Sequence, residues 1–303
     1  MPARLLSIAE VERETGLPRA TVRIWERRYG FPSPSRDDRG ERCYSQDQVA
    51  QLSQMHRLVQ QGHRPAKLLA AGADGIRQLA LPATSARPTP ASARVLALMR
   101  LLKRHDAAAL RIELANVLER TGLAQFVGVE LPLLSAQVGD AWAAGELEVH
   151  EEHLYSDCVH QVVREAISRV PQAVRPEAPQ VLLTTVPQEH HGLGLLMAQA
   201  LFTLQGCAVV SLGVRLPLEQ IASGARAYKA DLVGLSFSAS LHPTHVLRNL
   251  EELRGMLPPQ VRLWAGGSSA ALRKKVAGVR TVRDVLAIPS LLAEDFALPP
   301  VEA

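Results

Sequence analysis

The spacing of apolar residues changes twice along the 303 residues, and each change marks a different kind of structure. Ser7-Ile8-Ala9-Glu10 has the S-x-x-E form in which a hydroxyl and a carboxylate cap a helix start, and Gly16 offers the stop. The pattern predicts a second helix from Arg19 to Tyr29, closed by Gly30. Phe31 to Cys43 is rich in Pro, Ser, Asp and Gly, a turn composition. Ser45-Gln46-Asp47-Gln48 predicts a third helix ending near Gly62, and Pro65 fits the first turn of one more. Residues 72–92 hold few large apolar groups and read as a linker. From 93 to 177 apolar residues recur three and four apart (Val95, Leu98, Leu101 and Leu102; Leu110, Leu114, Val117 and Leu118), which predicts a four-helix bundle. After Pro179 the period changes again. Short apolar runs (Val181–Thr185, Ala208–Leu212, Leu232–Ser236 and Arg262–Ala265) alternate with helical stretches, the signature of a parallel sheet covered on both faces.

The expected chain is therefore multidomain, α and α/β. It has a winged helix-turn-helix over 1–71, a linker over 72–92, a four-helix bundle over 93–177, and a doubly wound Rossmann-like parallel sheet over 178–303. No apolar run reaches the roughly 18 residues that a membrane span needs, and no long apolar stretch follows Met1-Pro2-Ala3-Arg4. Cys43, Cys158 and Cys207 lie far apart, with no metal-ligand spacing. These features predict a cytoplasmic protein with reduced thiols, no membrane partner, and no nucleophile–base pair that would make it an enzyme.

Charge adds a direction. Residues 1–72 carry twelve Lys and Arg against eight Asp and Glu, so the chain's whole net charge of +4 sits there. A basic head on a neutral body suits a polyanion at one end. The predicted second helix displays Thr21, Arg23 and Arg27 around apolar Val22, Ile24 and Trp25, and a helix of this kind fits the major groove. Trp25 reads as core. The loop that follows places Arg36, Arg39 and Arg42 on a wing, where they can meet phosphates.

Ile8-Ala9-Glu10-Val11, Thr15-Gly16-Leu17, Arg23-Ile24-Trp25-Glu26-Arg27-Arg28-Tyr29-Gly30 and Gly40-Glu41-Arg42-Cys43-Tyr44 together resemble the head of the MerR family. That resemblance implies a double-stranded DNA operator, with Thr21, Arg23 and Arg27 facing the groove and Arg42 on the wing. Two departures stand out. Asp37, Asp38 and Glu41 put acidic groups on the wing, where they would weaken phosphate contact. The long dimerisation helix usual after such a head is missing, because the linker begins at Gly72; self-association falls to the C-terminal part.

Two constellations in that part carry chemistry. Glu189-His190-His191-Gly192-Leu193-Gly194 follows the first predicted strand and fits D/E-x-H-x-x-G. A neutral imidazole there can bind cobalt, a carboxylate two residues away can take its other N–H, and Gly192 and Gly194 leave room for a bulky tail. With Ser236 and Ser238 after the third strand and Gly266-Gly267 after the fourth, the set resembles the cobalamin-binding domain of methionine synthase and corrinoid carriers. The resemblance implies that His191 is the cobalt ligand, with Ser236 or Ser238 and the Gly266-Gly267 pair beside the tail. The second constellation is Trp142, nine residues, then Glu152-His153, on the predicted bundle. It resembles the CarH and LitR group of cobalamin photoreceptors. There the bundle caps the corrin, the Trp stacks on an adenosyl group, and the Glu and His line the same pocket.

By that resemblance the chain is a repressor that binds adenosylcobalamin, with methylcobalamin as the alternative, and forms a homo-oligomer, dimer or tetramer, controlled by cobalamin and light. Ala143 stands where light-responding members carry a His directly after the Trp, so stable bis-histidine trapping is not expected. Two other readings stay open: a cobalamin-level sensor indifferent to light, and an apo regulator switched by a protein partner.

Overall fold

The computed structural model describes residues 5–37, 40–60, 65–70, 72, 90–171 and 174–301. They divide into two compact units, residues 1–94 with 137–152, and residues 95–136 with 153–303.

In the first unit β1 (Leu5–Ser7), α1 (Ile8–Thr15), α2 (Arg19–Tyr29), β2 (Ser35–Arg36), β3 (Arg42–Ser45) and α3 (Gln46–Gln60) follow in order. Ser7 and Glu10 cap α1 reciprocally, as their spacing predicts, and Gly16 ends it at φ +69°, a left-handed conformation that a glycine adopts without strain. β3 is the middle strand of an antiparallel sheet ordered β1-β3-β2. The sheet and helices close on Val11, Val22, Trp25, Tyr44, Leu52 and Met55, all buried. Trp25 is thus core, as read. β1 was not legible from the sequence, since three residues directly before a helix cap carry too little alternation. Most of the expected linker, residues 73–89, lies outside the described residues.

The helical body comprises α4 (Pro90–Lys103), α5 (Ala107–Thr121), α6 (Leu131–Ala143) and α7 (Val149–Arg169), matching the four helices expected. Within the second unit they bury Leu98, Leu102, Leu110, Leu114, Val117, Val159 and Val163. Ser135 Oγ and Tyr155 OH share a hydrogen bond of 3.0 Å inside that body. Phe126–Glu130, just before α6, is π-helical. Pro132 explains it: a proline has no N–H to give the carbonyl four residues back, and its ring crowds that carbonyl. The ladder widens, and Leu131 N–H bonds to Phe126 O instead. At Gly128 in this turn a Cβ would run into the Leu286 side chain, so the π turn lies directly on the sheet domain.

That domain holds β4 (Gln180–Thr184), α8 (Leu193–Leu204), β5 (Ala208–Ser211), α9 (Leu218–Ala227), β6 (Leu232–Phe237), α10 (Pro243–Met256), β7 (Arg262–Gly267), β8 (Val279–Val282) and α11 (Ile288–Phe296). All pairings are parallel and the order is β5-β4-β6-β7-β8. β4 and β6 are almost wholly buried, as strands covered on both faces must be. Leu182, Val233, Leu235 and Leu263 pack with Ile221 and Ala222 of α9 and Val246 and Leu250 of α10. The sequence pattern located four of the five strands. β8 escaped it because four half-buried residues at the sheet edge make no continuous apolar run. Burial pushes the Cys207 thiol up to about 12 and raises that of Cys158 as well, so both are inert packing groups.

Candidate functional site

In this strand order the chain leaves β4 in one direction and returns to β6 on its other side, which opens a crevice beyond their carboxyl ends. The two loops that edge the crevice carry the first predicted constellation. The β4–α8 loop is pinned at both ends: Thr185 Oγ1 donates to Glu189 O at 2.6 Å and accepts from Arg215 N at 2.8 Å.

Glu189 sits at the centre of this arrangement, 1% exposed. Its Oε1 accepts from the His191 backbone N–H at 3.0 Å and lies 2.6 Å from His191 Nδ1. Its Oε2 accepts from both the N–H and the hydroxyl of Ser238, each at 2.8 Å. Burial pushes this carboxyl upward, but the hydrogen bonds from His191 and Ser238 outweigh it and hold the group down at about 2. An anionic Glu189 biases the tautomer of its neighbour. Against that carboxylate the favoured arrangement has Nδ1 donating its proton to Glu189 Oε1. The His191 side chain itself is 52% exposed at the crevice. A buried carboxylate behind an outward imidazole is an arrangement that could hold a metal ion.

Small residues line the rest. A Cβ on Gly194 would collide with Ser236 Oγ, so the first turn of α8 lies directly on β6. Ser236 pairs in register with Gly266, and Phe237 with Gly267. Gly267 has φ +115°, and a Cβ there would strike Phe237 O. A Cβ on Gly192 would come within 3.3 Å of Val214 Cγ1 and 3.8 Å of His160 Nε2. His191, Gly192, Gly194, Ser236, Gly266 and Gly267 thus cluster around the ends of β4, β6 and β7. Ser238 stands apart in kind: its hydroxyl is committed to Glu189, a role the sequence reading missed.

The second constellation lies on the helical body. Trp142 is half-buried in the last turn of α6, next to Ala143. Glu152, half-buried, and His153, exposed, stand in the first turn of α7. Between them Glu151 is 3% exposed and accepts from Glu148 N at 2.7 Å, which fixes the start of α7. This capping carboxylate was also missed, because Glu148, Glu151 and Glu152, three glutamates within five residues, read alike.

In the head, Glu12 accepts from the Arg19 backbone at 3.2 Å and from its Nε at 2.6 Å, setting the angle between α1 and α2. Arg23 and Arg27 are exposed on α2, and Thr21 is half-buried. The wing closes through Asp37: its N–H bonds to Glu41 O at 3.0 Å, and its Oδ1 accepts from Glu41 N at 2.8 Å. Asp37 therefore serves the hairpin turn, a use that repulsion of phosphate leaves out of account. Arg36 donates to Gly40 O at 2.6 Å. Arg42 Nε donates to Glu26 Oε1 at 3.1 Å, tying the wing to α2. Arg39 and Asp38 lie outside the described residues.

Comparison with known proteins agrees with both halves. Residues 6–68 match the MerR HTH family regulatory proteins, and residues 179–284 match the B12 binding domain. The chain is 32% identical over 262 residues to the HTH-type transcriptional repressor CarH of Myxococcus xanthus, covering 84% of this chain and 86% of that one. It is 28% identical over 263 residues to the repressor CarA of the same organism, covering 84% of each. Among solved structures the Methanosarcina barkeri monomethylamine corrinoid protein matches with a TM-score of 0.52 at 15% identity, over 65% of this chain and 96% of that one, a likeness of fold. These curated relatives are repressors, not enzymes. A MerR head, a helical body and a B12-binding sheet thus follow in the order and over the length of a known regulator, and the chain belongs to the CarH family of transcriptional regulators.

Proposed function

We propose that this chain is a repressor that binds adenosylcobalamin and changes its assembly, and with it its hold on an operator, when light reaches the bound cofactor. The observation that carries this reading is the Glu189–His191–Ser238 arrangement at the crevice. Its donor set fits a cobalt centre, and Gly194, Ser236, Gly266 and Gly267 gather beside it where α8 packs on β6 and β6 pairs with β7. His191 would hold the metal through Nε2, while Glu189 keeps Nδ1 protonated and the ring oriented. Gly194, Ser236, Gly266 and Gly267 would flank the tail. Trp142, Glu152 and His153 would cover the opposite side of the ring and shield it from water. When bound, the cofactor supplies a cobalt–carbon bond that visible light can break.

On the DNA side Arg23, Arg27 and Thr21 would face the major groove, while Arg36, Arg39 and Arg42 would meet phosphates. Heads linked in a dimer or tetramer gain avidity for repeated half-sites without any new contact. The regulator would work in the cytoplasm, and no helix among the described residues is long and apolar enough to cross a membrane. Ala143 favours a second reading, a cobalamin-level sensor indifferent to light. One series of measurements tests both. The chain is titrated with adenosylcobalamin or methylcobalamin and followed by absorbance, with His191→Ala beside it. Size-exclusion chromatography and operator gel shifts then follow in the dark and after green light. Loss of corrinoid binding in His191→Ala and a light-dependent change of size support the proposal. A size and DNA affinity that respond to the cofactor but not to light select the second reading. No binding by the wild type sinks both.

A further inference from the structure

α2 carries a feature that neither phosphate contact nor core packing uses. At 3.6 residues per turn, Ala20, Ile24 and Arg27 lie on the face opposite Val22, Trp25 and Tyr29. Val22 and Trp25 are buried in the head's core, so that opposite face points to solvent. Ala20 is exposed, and Ile24 is 45% exposed, the one large apolar side chain left in the open on this helix. Ala20 and Ile24, four apart, form a short apolar strip. Arg23 and Arg27 stand exposed along one side of it, and Arg28 along the other. A guanidinium reads guanine acceptors or phosphates. An isoleucine can do neither, and the apolar group that a major groove offers at a base edge is the 5-methyl of thymine. The cations beside the strip commit this face to a polyanion, and within a duplex the strip then has one chemical match.

We propose that Ala20 and Ile24 read thymine methyl groups, and that Ile24 is a specificity-determining residue of the head. This rests on the DNA-binding reading above, and the experiment separates the two. The full-length chain, with and without adenosylcobalamin in the dark, is used to select duplexes from a random library. Each thymine of the selected site is then replaced singly by uracil, which deletes only the methyl. Wild type is expected to bind roughly four-fold more weakly at one or two thymines per half-site, the transfer value of one methyl. Ile24→Ala should bind the site about as weakly as wild type binds the duplex that lacks the one methyl Ile24 touches, and should ignore replacement of that thymine while staying sensitive at any thymine read by Ala20. Ile24→Val, which keeps a branched methyl surface, should keep most of the sensitivity. Because Ile24 is exposed and alanine is the better helix former, the variant should fold, as circular dichroism will check. Selection of a site with uracil silent at every thymine, or with Ile24→Ala fully sensitive, overturns the inference and leaves DNA binding standing. Enrichment of no duplex at all overturns both.

Discussion

If Ser238 acts on the cofactor only through Glu189, then removing its hydroxyl should matter only while residue 189 is a carboxylate. In Ser238→Ala, Glu189 keeps the Ser238 N–H and both His191 donors but loses one charge-assisted hydrogen bond of 2.8 Å. Hydrogen bonds to a charged group contribute about 1.5–3 kcal/mol each, and Glu189 is buried, so solvent offers little replacement. The expected loss of stability is therefore about 2 kcal/mol. Cobalamin affinity should fall by roughly ten-fold, the lower end of the effect of disturbing a ligand's supporting partner. Glu189→Gln should cost more, because an amide must turn its NH2 toward donors on one side. The decisive measurement is the double variant. Its thermal shift and its absorbance-detected corrinoid affinity should match Glu189→Gln alone, giving a coupling energy of about 1.5 kcal/mol or more between the two sites. Effects that add within about 0.5 kcal/mol would mean that Ser238 acts independently, for instance on the tail itself, and the reasoning would fail.

Other outcomes follow from the same geometry. Glu189 is held at about 2 against an ordinary 4.5, a gap worth about 3 kcal/mol at 1.36 kcal/mol per pH step. That contribution is complete above about pH 4.5 and fades as pH falls toward 2. The apo wild type should therefore lose melting temperature between pH 5 and 3 more steeply than Glu189→Gln. Gly194→Ala should drive its methyl into Ser236 Oγ, costing about 1–3 kcal/mol and cobalamin binding, and Ser236→Gly in the same chain should restore part of both. Arg42→Ala should lower the slope of log affinity against log salt for operator DNA by about 0.9, one phosphate contact. Glu26→Gln, which frees the Arg42 side chain from α2, should weaken operator binding with the slope kept.

How much of this could be read beforehand depends on whether the information was local. Helix caps at Ser7 and Gly16 and the buried strands β4 and β6 announce themselves within a few residues, and they were legible. The Glu189–His191 pair was legible for the same reason: two residues apart in a tight loop, the carboxylate and the imidazole have little choice but to meet. Ser238 lies 49 residues further on, and only the parallel pairing of β4 with β6 brings it to Glu189, so no spacing rule could have found it. The π turn at Phe126–Glu130 was half legible. Pro132 warned of a break, but only the Leu286 side chain lying where a Cβ of Gly128 would go explains why the widened turn must stay small. The wing adds a second role to an expected one by the same logic. Asp37 counted by charge is a repulsive group near phosphate, whereas Asp37 placed in its hairpin is the acceptor that closes the turn and sets the strand bearing Arg42. Charge tells what a residue would do alone. The long-range pairings of the fold decide which groups meet, and in this chain they bring Ser238 to Glu189 and bury the carboxylate that bonds to the exposed His191 side chain.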